Sequence, residues 1–569
     1  MKYFECGFLA LAISAASLPL TAGADGNFTP SNARNNDIIP SRDFTVDQHV
    51  SLDAVKSRQL TNHGQTPFQS TGYYVRKGEV LNLAILYGNR DMNPSLEAFI
   101  TVPDDRTYEF GHSQRQKLQW GINSIQADQD GILYIANLGK SIDGDIAMQI
   151  HGGHPFPRFI LNQNHQGDWK RMLADAELNN SPYVELLSDR MMITLRREKA
   201  AQFIENGDPI SMLATWDNII KLAENQYGLT NDDPSSRHPA FPYHFHIVEG
   251  IPPTGIVNND KCAGSMNTGR WRIQTCYENS MKEVINNHAL QTDGWGPWHE
   301  LGHNLQMAPL TWGGMTEVTV NLTSLYIQRE FGMTSRLETD GVWGRAFSYL
   351  QQSQRDYNAQ DNWVKVAMLW QLDLTFGKDF YATLARHYRE MDDEDLPRTD
   401  DQKIQHFIVQ TSRMSHFNLI PFFEQWGLMP SDATRKYLAQ RSASLPLLQD
   451  PIWENRDVSV KYDYAEKELK AVTDADVDLN VLKVSNSYPL DGNASKNAVS
   501  FKWSMVSGQG TFGLKDKRGN DADEVNDAVA QAWIPANVTG EAVYRLTVTD
   551  TNGSEASRDM KFTVAKGKG

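Results

Sequence analysis

Two histidines four residues apart constrain this chain more than any other feature. His299 and His303 enclose Glu300 in the stretch Gly294-Trp295-Gly296-Pro297-Trp298-His299-Glu300-Leu301-Gly302-His303-Asn304-Leu305-Gln306. Residues four apart on a helix lie on one face, so both imidazoles can reach a single ion. The intervening glutamate then points toward a water held at that ion. Pro297 suits the first turn of such a helix and Pro309 its end. With 15 histidines in 569 residues, a random chain would show this pattern only ~2 times in 100, so coincidence is a weak explanation.

A catalytic zinc site takes three protein ligands and keeps one position open. A third histidine in the extended metzincin pattern would need Gly at 306 and His at 309. The chain has Gln306 and Pro309 there, which excludes that arrangement. The alternative is a glutamate from a following helix. Glu317 stands in Gly313-Gly314-Met315-Thr316-Glu317-Val318-Thr319-Val320-Asn321. The two glycines allow a tight turn, and Val318, Leu322 and Leu325 then fall on one buried helical face. Glu317 and Asn321 project together from another face. Asn321 is placed to orient a ligand histidine by a hydrogen bond, with a plain core or capping role equally open.

Trp298-His299-Glu300-Leu301-Gly302-His303-Asn304 followed by Thr316-Glu317-Val318-Thr319-Val320-Asn321 resembles the enhancin-like, mucin-degrading zinc peptidases, including the accessory colonization factor D type proteins. Gly152-Gly153-His154-Pro155-Phe156-Pro157 upstream and Pro421-Phe422-Phe423-Glu424-Gln425-Trp426-Gly427 downstream extend the likeness over about residues 70–440. The resemblance implies a gluzincin fold, one catalytic Zn2+ held by His299, His303 and Glu317, and Glu300 as general base. It also implies glycoprotein or mucin substrates. Gluzincins often use a Tyr or His to bind the oxyanion, and no residue here is singled out for that part.

The rest of the chain reads as a multidomain α+β protein. Lys2, an apolar run over 8–20 and Ala22-Gly23-Ala24 form a signal peptide, 1–24, cleaved near Ala24 for secretion. Residues 25–66 are polar and read as a loose leader. Short alternations such as Val80-Leu81-Asn82-Leu83-Ala84-Ile85-Leu86 predict an N-terminal β-sandwich over 67–165. Helical periodicity predicts a mainly helical catalytic domain over 166–450, including a helix that Gly377 stops. Alternation returns over 455–569, predicting a C-terminal immunoglobulin-like or PKD-like β-sandwich. This last domain is a candidate glycan binder or a spacer, with Trp503 and Trp533 expected in its core.

The net charge of -16 argues against nucleic acid as a partner and against a polybasic membrane anchor. Cys6 falls in the signal segment. Cys262 and Cys276 remain as a disulfide pair, worth roughly 3 kcal/mol by the chain-entropy argument, with two buried thiols as the alternative. Trp295, Trp298 and Trp312 read as packing for the zinc helices more readily than as sugar platforms. His244 and His246 read as a strand with one wet face rather than a second metal site, and His151 and His154 as turn residues. Asp392 to Asp395 read as a solvated turn. Two other functions stay open: a general secreted metalloprotease without glycan dependence, and a non-catalytic mucus-binding adhesin. The intact His299, Glu300, His303 and Glu317 set argues against the adhesin.

Overall fold

Alternating apolar residues in the first part of the chain fold as two antiparallel sheets on one shared core. A computed structural model describes residues 41–47, 51–87, 96–102, 113–138, 145–231, 236–250, 265–277, 279–442, 445–456, 470–493, 495, 497–550 and 554–566. One N-terminal sheet runs Ser41–Val46, Ile146–His151, Val80–Tyr87, Gly121–Gln126. The other runs Gln114–Lys117, Leu96–Thr101, Gly131–Asn137, Phe68–Val75, His154–Pro155. Leu81, Leu83, Ile125 and Met148 of the first meet Val75, Ile100, Leu133 and Ile135 of the second. Each such side chain contributes about 2 kcal/mol by leaving water. The outer face of the second sheet is buried too. Phe68, Phe99 and Tyr134 pack there on Met192, Tyr243 and Trp271 of the next region, which couples the sheets to the catalytic part of the chain.

In the segment expected to be a loose leader, 25–66, the described residues 41–47 and 51–66 include a strand and a helix. Ser41–Val46 pairs antiparallel with Ile146–His151. The helix Leu52–Gln59 is capped by Ser51, whose Oγ accepts from the Ala54 N–H at 3.2 Å. A strand and a helix this short carry too few apolar residues to stand out against polar neighbours, and tertiary pairing supplies their stability. The signal peptide, its cleavage site and Cys6 lie outside the described residues, as does Cys262. Cys276, its expected disulfide partner, is buried.

The boundary expected at 165 falls earlier, and the region after it is not mainly helical at its start. Arg158–Ile160 already belongs to a six-stranded mixed sheet, continued by Tyr183–Leu187, Met191–Arg196, Phe245–Glu249, Ile273–Thr275 and Met266–Thr268. Its central strands are buried on both faces, so they read as continuous apolar runs without the period of two. Met212, Trp216, Ile219 and Ala223 of the helix Ile210–Gln226 are buried in the same core as Ile193 and Ile247 of the sheet. The predicted helices then follow, among them Trp295–Leu305, Thr316–Glu330 and Asn362–Phe376. Gly377 ends the last of these at φ 92°.

The C-terminal region holds a five-stranded and a three-stranded sheet over one core containing Trp503, Tyr544 and Phe562. Trp533 departs from expectation. In Val529–Ile534 the residues Ala530, Ala532 and Ile534 face inward, so the period of two turns Trp533 outward, where Lys515 Nζ sits 4.9 Å from its ring. Ion pairs join this region to the helices: Arg413 with Asp491, and Arg441 with Asp474 at 2.7 Å. Asp392, expected in a solvated turn, pairs with Lys517 at 3.2 Å.

His387 and His406 stack beside that seam at 5.9 Å. Burial and the neighbouring Arg413 press His387 down to about 4. Burial, His387 and Arg413 press His406 down to about 3. Unfolded histidine titrates near 6.5. Between that value and about 4 the unfolded chain therefore binds protons that the folded chain refuses, and stability falls on acidification. Replacing both by Gln is expected to recover about 2 kcal/mol of the loss between pH 7 and pH 5, after discounting for partial exposure of the rings. Urea midpoints at the two pH values measure it. Parallel midpoint shifts in variant and wild type would contradict this assignment.

Candidate metal centre

The histidine helix, Trp295–Leu305, buries Pro297, Trp298, Leu301 and Leu305 and turns the ligand face toward the next helix. Gly302 permits the approach. A Cβ there would lie 2.9 Å from Val320 Cγ2 and 3.1 Å from the Val320 carbonyl oxygen. Gly314, at φ 75°, makes the turn into the glutamate helix, Thr316–Glu330. Glu317 sits in the first turn of that helix, where the dipole favours a carboxylate.

The structure brings His299, His303 and Glu317 together, their ligand atoms all within 4.8 Å of one another. Glu317 Oε2 lies 3.1 Å from His299 Nε2 and 3.6 Å from His303 Nε2. The Glu317 side chain is 54% exposed and that of His303 only 10%, so the trio opens to solvent on one side.

Hydrogen bonds set the protonation of both rings. Asn321 Nδ2 donates to the Glu317 carbonyl at 2.9 Å, which leaves Asn321 Oδ1 facing His299 Nδ1 at 2.8 Å. Gln306 Nε2 donates to the Thr316 carbonyl at 2.5 Å and to Thr319 Oγ1 at 2.6 Å. Its Oε1 therefore faces His303 Nδ1 at 3.0 Å. Each Nδ1 carries the proton, and each Nε2 lone pair aims at Glu317. Three acceptors converging on one point repel unless a cation or a proton lies between them, so the residues fit a divalent metal of the zinc type. Where a proton rather than a metal lies between them, the neighbouring His299 imidazole at 3.1 Å and the His303 imidazole at 3.6 Å hold the Glu317 carboxyl well below the usual carboxylate range. Burial presses the His303 imidazole down, but the nearby Glu317 carboxylate, the Glu300 charge and the Gln306 bond outweigh it and raise it.

Glu300 is buried and outside the trio. Its Oε2 and its main-chain carbonyl oxygen both lie 2.8 Å from Thr268 Oγ1, whose one proton the two acceptors share. Thr268 ends Met266–Thr268, which is the outermost strand of the six-stranded sheet among the described residues.

Residues 152–427 match the family described as Peptidase M60, enhancin and enhancin-like. The chain carries an enhancin-like M60 peptidase domain. TRPM8 channel-associated factor 2 of Homo sapiens is 27% identical over 345 residues, 58% of this chain and 33% of its own length. The chain thus spans about a third of that relative. Among solved structures, a Bacillus anthracis protein described as functionally unknown aligns at TM-score 0.68 and 26% identity, over 92% of this chain and 100% of its own. The M60 catalytic domain of Clostridium perfringens ZmpC, solved in complex with the sialyl T antigen, aligns at TM-score 0.61 and 17% identity, over 91% and 100%. At that identity the likeness is one of fold.

Within the M60 domain, other expected residues take plain structural places. Trp298 and Trp312 are buried. Trp295 packs on Trp363 at 5.6 Å, with Arg336 over its ring. His246 is not on a wet face. It is 2% exposed and bonds Thr194 Oγ1 at 2.8 Å, while His244 Nε2 bonds the Ser188 carbonyl at 3.0 Å. Neither joins a metal-ligating group among the described residues. His154, beyond the Gly152-Gly153 turn, bonds Glu79 at 2.7 Å.

Gln306 and Thr268 had gone unrecognised. Gln306 enters the sequence argument only as the residue that breaks a longer histidine pattern. Thr268 lies on a strand far upstream, with no spacing to tie it to Glu300.

Proposed function

We propose that this chain is an exported zinc endopeptidase that hydrolyses peptide bonds in O-glycosylated, mucin-like proteins. The observation that carries the reading is the convergence of His299 Nε2, His303 Nε2 and Glu317 Oε2 beside a buried Glu300 held by Thr268. Zinc bound by those three residues supplies a Lewis acid that polarises the scissile carbonyl and brings water toward ionisation near neutral pH. Glu300 takes the proton of the attacking water and returns a proton to the departing amine. Thr268 Oγ1 holds Glu300 Oε2, leaving Oε1 for the proton. Asn321 and Gln306 keep the two imidazoles in the ligating tautomer. The outer strand Met266–Thr268 offers main-chain partners to an extended peptide.

The substrate class rests on the family and on the sialyl T antigen bound to the ZmpC domain. The same reading takes residues 1–24 as an export signal and Cys262 with Cys276 as a disulfide. It takes the two N-terminal sheets, from Ser41–Val46 to His154–Pro155, as a β-sandwich, the region from Arg158 to about 450 as the catalytic domain, and 455–569 as an immunoglobulin-like or PKD-like sandwich that spaces the catalytic domain or binds glycan.

The test is cleavage of an O-glycosylated mucin fragment beside its enzymatically deglycosylated twin, with Glu300→Ala as the blank. Cutting of the glycosylated form alone, lost in the blank, is expected. Equal cutting of both would make the enzyme a general metalloprotease. Mucus binding with no cutting of either would make it an adhesin.

A further inference from the structure

A cavity of about 910 Å³ lies between the catalytic helices and the C-terminal sheets, and none of the metal ligands lines it. The helices Phe380–Glu390 and Asp400–Ser415 form one wall, carrying His387, His406 and Gln410. The other wall is the polar face of the five-stranded sheet. Lys502, Thr547 and Thr549 line it, and they alternate along their strands with the buried Trp503, Leu546 and Val548, as a period of two requires. Ion pairs hold the walls apart at a fixed distance: Arg413 with Asp491, and Lys517 with Asp392 at 3.2 Å. The space is therefore built into the fold, and it falls within the range of ligand sites, about 300–1,000 Å³.

The lining decides what can enter. Its three cations are all paired, Arg413 and Lys517 as above and Lys502 with Glu524 at 3.8 Å. Six carboxylates share the walls, those of Glu390, Asp392, Asp395, Asp491, Asp527 and Glu555. An anionic ligand would meet repulsion there. A hydrocarbon would strand the same groups without water. A neutral molecule rich in hydroxyls meets neither cost. Carboxylates accept strongly from hydroxyl groups, and the Thr547 and Thr549 hydroxyls both donate and accept. Gln410 adds a held acceptor. It is only 7% exposed, its Nε2 donates to His406 Nε2 at 3.3 Å, and its Oε1 carries no bond among the described residues. Buried polar atoms of this kind ordinarily have a partner. Phe501 and the stacked His387 and His406 supply flat faces for the C–H side of a ring, and burial keeps both imidazoles neutral.

We propose that this cavity binds a neutral saccharide, at a site separate from the metal centre. It gives a place to the glycan binding read above into the C-terminal region. It holds whether or not the chain is a peptidase.

The experiment titrates fluorescently tagged neutral oligosaccharides released from mucin, and the sialylated fraction beside them, with the full zinc-loaded chain. Thr549→Trp fills the cavity from the sheet, Gln410→Leu removes the held acceptor at nearly constant volume, and Thr549→Ser keeps the hydroxyl. Zinc per chain, Tm and kcat on the mucin fragment are read alongside. The neutral fraction is expected to bind saturably to wild type and Thr549→Ser, and about tenfold more weakly to Thr549→Trp and Gln410→Leu, with zinc content and kcat near wild type. Should Thr549→Trp fail to fold, Gln410→Leu still reads the contact. No binding to wild type, equal binding to both altered chains, or tighter binding of the sialylated fraction would overturn the proposal. Failure of the wild type to cut any protein would sink the peptidase reading alone, since the titration needs no cleavage.

Discussion

Glu300→Gln is expected to lower kcat/KM by about 10²–10⁴-fold while zinc stays bound. The side chain touches none of the positions that fix the ion. The converging atoms belong to His299, His303 and Glu317, and the amides that orient the rings belong to Asn321 and Gln306. Glutamine keeps the shape of Glu300 and can still accept from Thr268 Oγ1, so the fold loses nothing and only the capacity to take a proton is removed. Glu300→Ala adds a small cavity to the same chemical loss. Kinetics on a cleavable mucin fragment, with zinc content measured alongside, separate the two effects. A Glu300→Gln variant with activity near wild type would remove Glu300 from the chemistry.

The second large effect concerns the metal itself. Glu317→Ala removes the anionic ligand and leaves two neutral imidazoles, so zinc affinity is expected to fall further than for any residue that only orients a ligand. Gln306→Ala sets the comparison. It leaves all three ligand atoms in place but frees the His303 Nδ1–H, and such a change costs about 10–100-fold in affinity. Competition with a chromophoric chelator measures both. A Gln306→Ala protein that bound zinc as tightly as wild type would show that His303 needs no help in choosing its tautomer.

What could be read from the sequence was what depends on local spacing. His299, Glu300 and His303 share a helix, Gly313 and Gly314 precede the next one, and Glu317 and Asn321 are one turn apart on it. Each relation spans a few residues, and the helical period carries it. The strand Val80–Tyr87 is legible through its own local period of two, and the stop at Gly377 through a single residue. The partners that tertiary structure delivers left no such trace. Thr268 reaches Glu300 from an outer strand 32 residues away, and His63 reaches His303 from a segment whose composition resembles a disordered leader. The six-stranded sheet was missed because burial on both faces erases alternation from strands such as Phe245–Glu249. His246 was placed on a wet face by the same assumption. Trp533, one of the few aromatics of its domain, is expected in the core on that ground alone, but the register of its strand turns it outward.

The most direct test of the account is the zinc stoichiometry of the full chain, stripped of metal and titrated back while hydrolysis is followed. The account predicts one zinc per chain, with activity returning in proportion, and neither uptake nor activity in His299→Ala/His303→Ala. A wild-type chain that cleaves its substrate without metal, or a double variant that still takes up one zinc and cleaves, would contradict it.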